Sequence, residues 1–172
     1  MKNLPNIYSE GNIKLTGRST LRAYPAGTVK DYVDKKIQSL PEPNYVDARN
    51  NLVVTVGKEL VCDLLLDIET AGLTYHAIGT FSGAPTLSNA TLGTEVERKL
   101  WTSKTRTLNV ITYTAFYLAA ECTYNIAEVG VFGGAMASAL SDSGVLFSRL
   151  LQSYDNSAGL VDLTFEYELT IG

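Results

Sequence analysis

The sequence contains few of the residues that bind metals or act as nucleophiles. Its 172 residues include one histidine, His76, and two cysteines, Cys62 and Cys122. One histidine excludes a site built from several histidines, and no cysteine or histidine lies close to either cysteine in the sequence. We therefore expect small buried thiols, a histidine without a catalytic role, no metal and no cofactor.

Basic residues and long apolar runs are also scarce. The chain has 14 Lys and Arg against 18 Asp and Glu, a formal net charge of −4, which disfavours both nucleic acid and an anionic membrane surface as partners. No apolar run reaches the roughly 20 residues that cross a bilayer. The first residues lack the apolar stretch of a secretory signal. The sequence predicts a protein made in a cytoplasm and left unprocessed.

The strongest strand pattern lies in residues 104–134. β-Branched and aromatic residues alternate with their neighbours over residues 107–118, and a second apolar run covers residues 124–132. A short polar break near residues 121–123 separates the two runs, so the pattern predicts a β-hairpin. Residues 160–171 alternate most regularly and predict a final strand with one face in water.

Two segments show helical periodicity. Residues 28–40 place Val29, Tyr32, Val33 and Ile37 on one side and predict a short amphipathic helix that ends before Pro41. Residues 56–68 carry a broader apolar stripe and predict a helix that is buried on most of its surface. With about six strands, these elements predict a mainly β protein, an antiparallel β-sandwich with one buried helix, over residues 46–172.

Residues 1–26 show no sustained period. They contain scattered apolar residues between polar and glycine residues, and we interpret them as an extended arm that orders on a neighbouring subunit. The predicted contacts of the arm are Ile7, Ile13, Leu15 and Leu21. A flexible tail is the alternative. Arm and short helix together form a predicted N-terminal unit, residues 1–45.

Glu128 stands between apolar neighbours in its predicted strand. A buried carboxylate needs a partner, which Arg98 or Arg149 could supply in a structural ion pair. Carboxylates such as Glu95 and Glu128 could instead hydrolyse a glycosidic bond if they converged in a cleft. The ten tyrosines allow a third interpretation, because exposed aromatic side chains stack on sugars. We favour structural pairing and predict no catalytic residues.

From about residue 51 a series of short patterns follows in a characteristic order. They comprise residues 53–58, 75–80, 91–95 with Arg98, 124–133 and 144–149, and they end in the alternating last strand. In this order and spacing the chain resembles a family of small bacteriophage virion proteins associated with tails, baseplates and collars. Family members commonly carry an acidic residue before the pattern at Thr91, where this chain has Asn89 and Ala90. Residues 1–50 lie outside the resemblance.

The resemblance implies a non-enzymatic subunit, present in several symmetric copies in a virion, whose partners are copies of itself and other virion proteins. We therefore expect a homo-oligomeric structural protein of the tail, baseplate, collar or fibre-attachment region that assembles through its arm and its sandwich. The alternatives are a capsid decoration or receptor- or glycan-binding module, and a polysaccharide-degrading enzyme.

Overall fold

The computed structural model describes residues 13–172. Strands dominate this range, and the helices are short. The elements are β1 (Leu15–Pro25), α1 (Thr28–Val33), β2 (Tyr45–Asn50), β3 (Leu52–Val53), α2 (Thr55–Leu65), β4 (Leu73–Gly79), β5 (Glu95–Leu100), β6 (Ser103–Thr107), β7 (Val110–Tyr117), a 3-10 turn (Ala119–Glu121), β8 (Asn125–Gly133), β9 (Val145–Asp155) and β10 (Val161–Ile171). No helix within residues 13–172 has the length and apolar character to cross a membrane.

The strands form two five-stranded antiparallel sheets that pack face to face. The first sheet has the order β2-β1-β10-β7-β6, and the second has the order β3-β9-β8-β4-β5. Inward-facing side chains of both sheets, such as Leu21, Phe165 and Phe147, share one core. The predicted mainly β, antiparallel sandwich is confirmed.

The N-terminal arm was predicted wrongly over residues 15–25. β1 pairs with β10 along its whole length and lies inside the first sheet. Leu21 is fully buried in the chain's own core, Leu15 is partly buried and packs against that core, and Ile13 is exposed. The sandwich therefore begins at Leu15 and not at residue 46. Ile7 lies outside the described residues.

The sequence pattern did not predict β1, because small or polar residues occupy two of the positions that face the core. A Cβ at Gly17 would lie 2.2 Å from the hydroxyl oxygen of Tyr167. The next inward residue, Ser19, is buried and donates a hydrogen bond of 2.8 Å to Gln152. These inward positions therefore carry no apolar signal, although the strand keeps its alternation.

The predicted hairpin between the two central runs is also wrong. β7 belongs to the first sheet and β8 to the second, and the 3-10 turn carries the chain between them. The hairpin partner of β7 is β6, across a loop of two residues, Leu108 and Asn109. Alternation shows that a segment is a strand, but it does not show which sheet the strand joins.

The helices differ from the prediction in length and burial. α1 ends at Val33, and Lys35 then adopts a left-handed φ of 58°. In α2 only Gly57 and Leu60 are buried, because one side of the helix packs on β9, where Gly57 meets the backbone of Phe147. Cys62 of this helix is exposed, against expectation, whereas Cys122 is buried as predicted.

Only part of the outward face of β10 is exposed to solvent. Asp162 is buried where we expected exposure. Its carboxylate accepts hydrogen bonds from the backbone N–H of Val29, at 2.9 Å, and of Ala119, at 2.8 Å. α1 and the 3-10 turn are thereby held against this end of β10, and the alternation alone does not predict that cover.

Replacing Leu108 with glycine is expected to raise the free energy of unfolding by about 0.5 kcal/mol. Leu108 has a φ of 53° and is exposed, so glycine relieves backbone strain without loss of packing. Urea unfolding of Leu108→Gly beside Leu140→Gly measures this, because Leu140 is also exposed but has no positive φ. Equal destabilisation of both variants would contradict the prediction.

Candidate functional site

The outward face of the second sheet carries a second, smaller apolar cluster. It is built from Val54, Ala77, Leu92, Phe132 and Leu146. Leu92 belongs to the loop of residues 80–94 between β4 and β5, and a Cβ at Gly130 would lie 2.8 Å from it. This loop therefore covers the face closely, and we call it the β4–β5 loop.

A buried ion pair holds the β4–β5 loop. Glu128 of β8 accepts a hydrogen bond of 2.6 Å from Nε of Arg149 of β9, and the two side chains are 0% and 2% exposed. The Glu128 carboxylate also accepts the backbone N–H groups of Gly93 and Thr94, at 3.2 and 2.9 Å. Arg149 donates to the carbonyl oxygen of Gly83 at 2.9 Å. The pair thus fixes both ends of the loop.

A second buried pair holds the loop of residues 134–144, between β8 and β9. Arg98 binds the carboxylate of Glu95 through Nε and Nη2, at 2.5 and 2.7 Å. Its Nη1 donates to the carbonyl oxygens of Ser138 and Ser143, both at 3.0 Å. The guanidinium carbon lies 4.4 Å from the centroid of the Phe132 ring. Arg98 therefore fixes the β8–β9 loop.

We refer to Glu128–Arg149 and Glu95–Arg98 together as the loop clamps. Of the two arginines proposed as partners of Glu128, the structure brings Arg149 to it and places Arg98 elsewhere. Glu95 and Arg98 are three residues apart and would face opposite sides of a regular strand, but the register of β5 shifts opposite Ile78 and Gly79. This bulge turns both side chains outward. Sequence spacing gave no signal for that pair.

Two further carboxylates near these loops and strands, Glu97 and Glu121, are also bound by groups of the fold. Glu97 accepts the backbone N–H of Arg98 at 3.1 Å, and Glu121 forms a salt bridge of 2.7 Å with Lys99. Each of these two carboxylates therefore has a donor within the fold. Over residues 13–172, no group of three or more His, Cys, Asp or Glu side chains is placed to hold a metal ion.

His76 lies in the core between the sheets. Its ring packs 4.4 Å from Phe165 and 5.4 Å from Trp101, centroid to centroid. The Tyr117 hydroxyl donates its proton to the carbonyl oxygen of His76, so Nδ1, which lies 3.0 Å from that hydroxyl, must be the donor to it. Nε2 then carries a lone pair without a hydrogen-bond partner among the described residues. Burial lowers the pKa of His76 to about 3.

A scan of protein-family models and searches of curated proteins and of solved structures each found no match. The site is therefore interpreted from its own residues. Its charged groups are buried and satisfied by one another and by the loops. This arrangement gives two rigid surface loops on a β-sandwich, with no carboxylate of the loop clamps facing solvent.

Proposed function

We propose that this chain is a structural subunit of a bacteriophage virion, present in several copies in the tail, baseplate, collar or fibre-attachment region. The sandwich supplies a rigid body, and residues 1–12 together with exposed apolar patches of the sandwich supply contacts to neighbouring copies and other virion proteins. The order of sequence patterns from residue 51 onward supports the assignment to a virion.

The observation that carries the proposal is the contrast between buried charge and exposed apolar surface. His76 and the charged side chains of the loop clamps are buried, and the charges of the loop clamps are paired. Large apolar side chains, among them Leu65 and Ile68, are instead exposed. Exposed apolar patches mark protein–protein contacts more often than they mark chemistry. The surface of this chain is therefore better suited to association than to turnover.

The packing of the tyrosines favours assembly over glycan binding. Tyr113, Tyr117 and Tyr167 are buried between the sheets, and Tyr124 is half-buried. Sugar binding through aromatic stacking needs exposed rings. A binding module remains the second candidate because Tyr45 lies in the edge strand β2, is 38% exposed, and packs 5.0 Å from Tyr154.

The assignment to a virion can be tested on phage particles purified from host cells that carry the genome encoding this chain. We expect quantitative mass spectrometry to detect this chain at several copies per particle, and labelled antibodies to mark one defined substructure in electron micrographs. A chain that stays in the cell extract and is absent from purified particles would refute a virion role. Labelling over the whole shell would favour the decoration alternative.

A further inference from the structure

One end of the sandwich carries an open apolar groove. It lies between the start of β1 and α2, has a volume of about 430 Å³, and is lined by Ile13, Lys14, Leu15, Lys58, Val61, Cys62 and Leu65. We call it the α2 groove. Its volume is in the range of about 300–1,000 Å³ typical of sites that accept a compact ligand or a few side chains.

The apolar surface extends past the groove along the end of α2. Ile13 and Leu65 are 76% and 75% exposed, and Leu66 and Ile68, which lie one and three residues after Leu65 in the chain, are 68% and 70% exposed. Single exposed leucines are common on soluble proteins, but here two exposed apolar side chains, Ile13 and Leu65, line one groove, and two more follow Leu65 within three residues of the chain. Such a patch is typical of a surface that another chain covers.

The position of Ile13 indicates the occupant. Ile13 itself lines the α2 groove, and residues 1–12 are joined to the sandwich through this residue. Their sequence includes Leu4, Pro5, Ile7 and Tyr8, which match the apolar lining. Twelve extended residues span at most about 40 Å, enough to reach the corresponding groove of a second copy placed against the same end.

We propose that two copies of this chain pair through the α2 end, with residues 1–12 of each copy seated in the α2 groove of the other. Donor segment and acceptor groove share one end of the molecule, so two apposed copies can exchange segments reciprocally, and a two-fold axis closes the contact. Leu66 and Ile68 of the two copies are then covered at the same interface. This inference rests on the proposed function, because it names the surface through which the subunit associates with itself.

Cross-linking in the full chain tests the exchange directly. Cys62 provides a natural thiol in the groove, whereas Cys122 is buried and its pKa is raised to about 12, so it does not react. With Leu4→Cys or Ile7→Cys and a mild oxidant, we expect a disulfide to Cys62 and a covalent dimer on a non-reducing gel. Leu160→Cys, at an exposed position in the β9–β10 turn, is the matched control and should give no dimer.

Replacing Cys62 tests whether the disulfide of the covalent dimer is formed by this cysteine. The dimer band should disappear when Cys62→Ser is combined with Ile7→Cys. A disulfide within one chain, identified by peptide mass spectrometry, would overturn the exchange, because the segment would then cover its own groove. Failure of both Leu4→Cys and Ile7→Cys to form any link to Cys62 would overturn it as well.

Light scattering separates this inference from the proposed function. We expect a mass of twice 18.6 kDa for the full chain, and of one copy for Leu65→Glu, which places a charge in the groove at an exposed position. Leu160→Glu should keep the dimer mass. A dimer that survives Leu65→Glu overturns the α2 interface but leaves self-assembly intact on another surface. A single-copy mass for the full chain at every concentration overturns the pairing of two copies, whereas absence from purified particles is the result that refutes the proposed function.

Discussion

Replacing Glu128 with alanine is expected to lower the free energy of unfolding by about 3–5 kcal/mol. The substitution leaves Arg149 as a buried charge without its carboxylate, since the two side chains are 2% or less exposed. It also removes the acceptor for the backbone N–H groups of Gly93 and Thr94. Urea unfolding followed by circular dichroism at pH 7 measures the loss.

The chain offers a matched control for the Glu128 prediction. Glu166 pairs with Arg22 at 3.3 Å on the surface of the first sheet, where both side chains are about one-third exposed. Water screens this pair, so Glu166→Ala should cost less than about 1 kcal/mol. If Glu128→Ala costs no more than Glu166→Ala, the Glu128–Arg149 clamp does not stabilise the fold.

A double variant separates the loss of the pair from the burial of an unpaired charge. Glu128→Leu combined with Arg149→Met replaces both charges by apolar side chains, and such replacements of buried ion pairs are often neutral or stabilising. We expect this variant to be more stable than Glu128→Ala, but the β4–β5 loop should exchange its amide protons faster, because its ends lose their hydrogen bonds.

Glu128 also shows which part of an ion pair can be predicted from the sequence alone. An acidic residue inside an apolar strand requires a partner, and that requirement is visible without a structure. The choice of Arg149 depends on the antiparallel register of β8 and β9, which shifts twice along their length. Register and bulges arise from contacts between distant segments, and no local pattern records them.

The same reason explains the errors at β1 and at the central hairpin. Ser19 and Gly17 face inward because Gln152 and Tyr167 meet them there, and those partners lie more than 100 residues away. The alternation in β7 predicted a strand but not its sheet. Fold class follows from composition and periodicity, whereas the pairing of strands depends on complementary side chains far apart in the chain.

Charged and apolar side chains are distributed differently at the loops and at the α2 end. The loop clamps use their charged groups inside the protein, so they stiffen the β4–β5 and β8–β9 loops without leaving those groups for solvent. The α2 end does the reverse and exposes apolar side chains. This distribution supports the proposed role, because a subunit that binds neighbours through an apolar surface must keep its shape while they are added.

Acidification from pH 7 to pH 5 is expected to lower the free energy of unfolding by about 2 kcal/mol through His76 alone. The pKa of this histidine is about 3 in the folded chain, against 6.5 for a histidine exposed to water. Between pH 6.5 and pH 3, His76 is therefore protonated in the unfolded chain and neutral in the folded chain. Stability is complete above pH 6.5 and is lost progressively as the pH falls towards 3.

The physical cause lies in the surroundings of Nε2. Protonation would place an N–H donor and a positive charge between Phe165 and Trp101, where Nε2 has no hydrogen-bond partner among residues 13–172. His76→Phe is the matched variant, because it keeps an aromatic ring in the core and leaves the backbone carbonyl as acceptor for Tyr117. Its stability should be nearly constant from pH 7 to pH 5, a range in which few carboxylates titrate. Equal slopes for His76→Phe and the unchanged chain would assign the acid sensitivity to other groups.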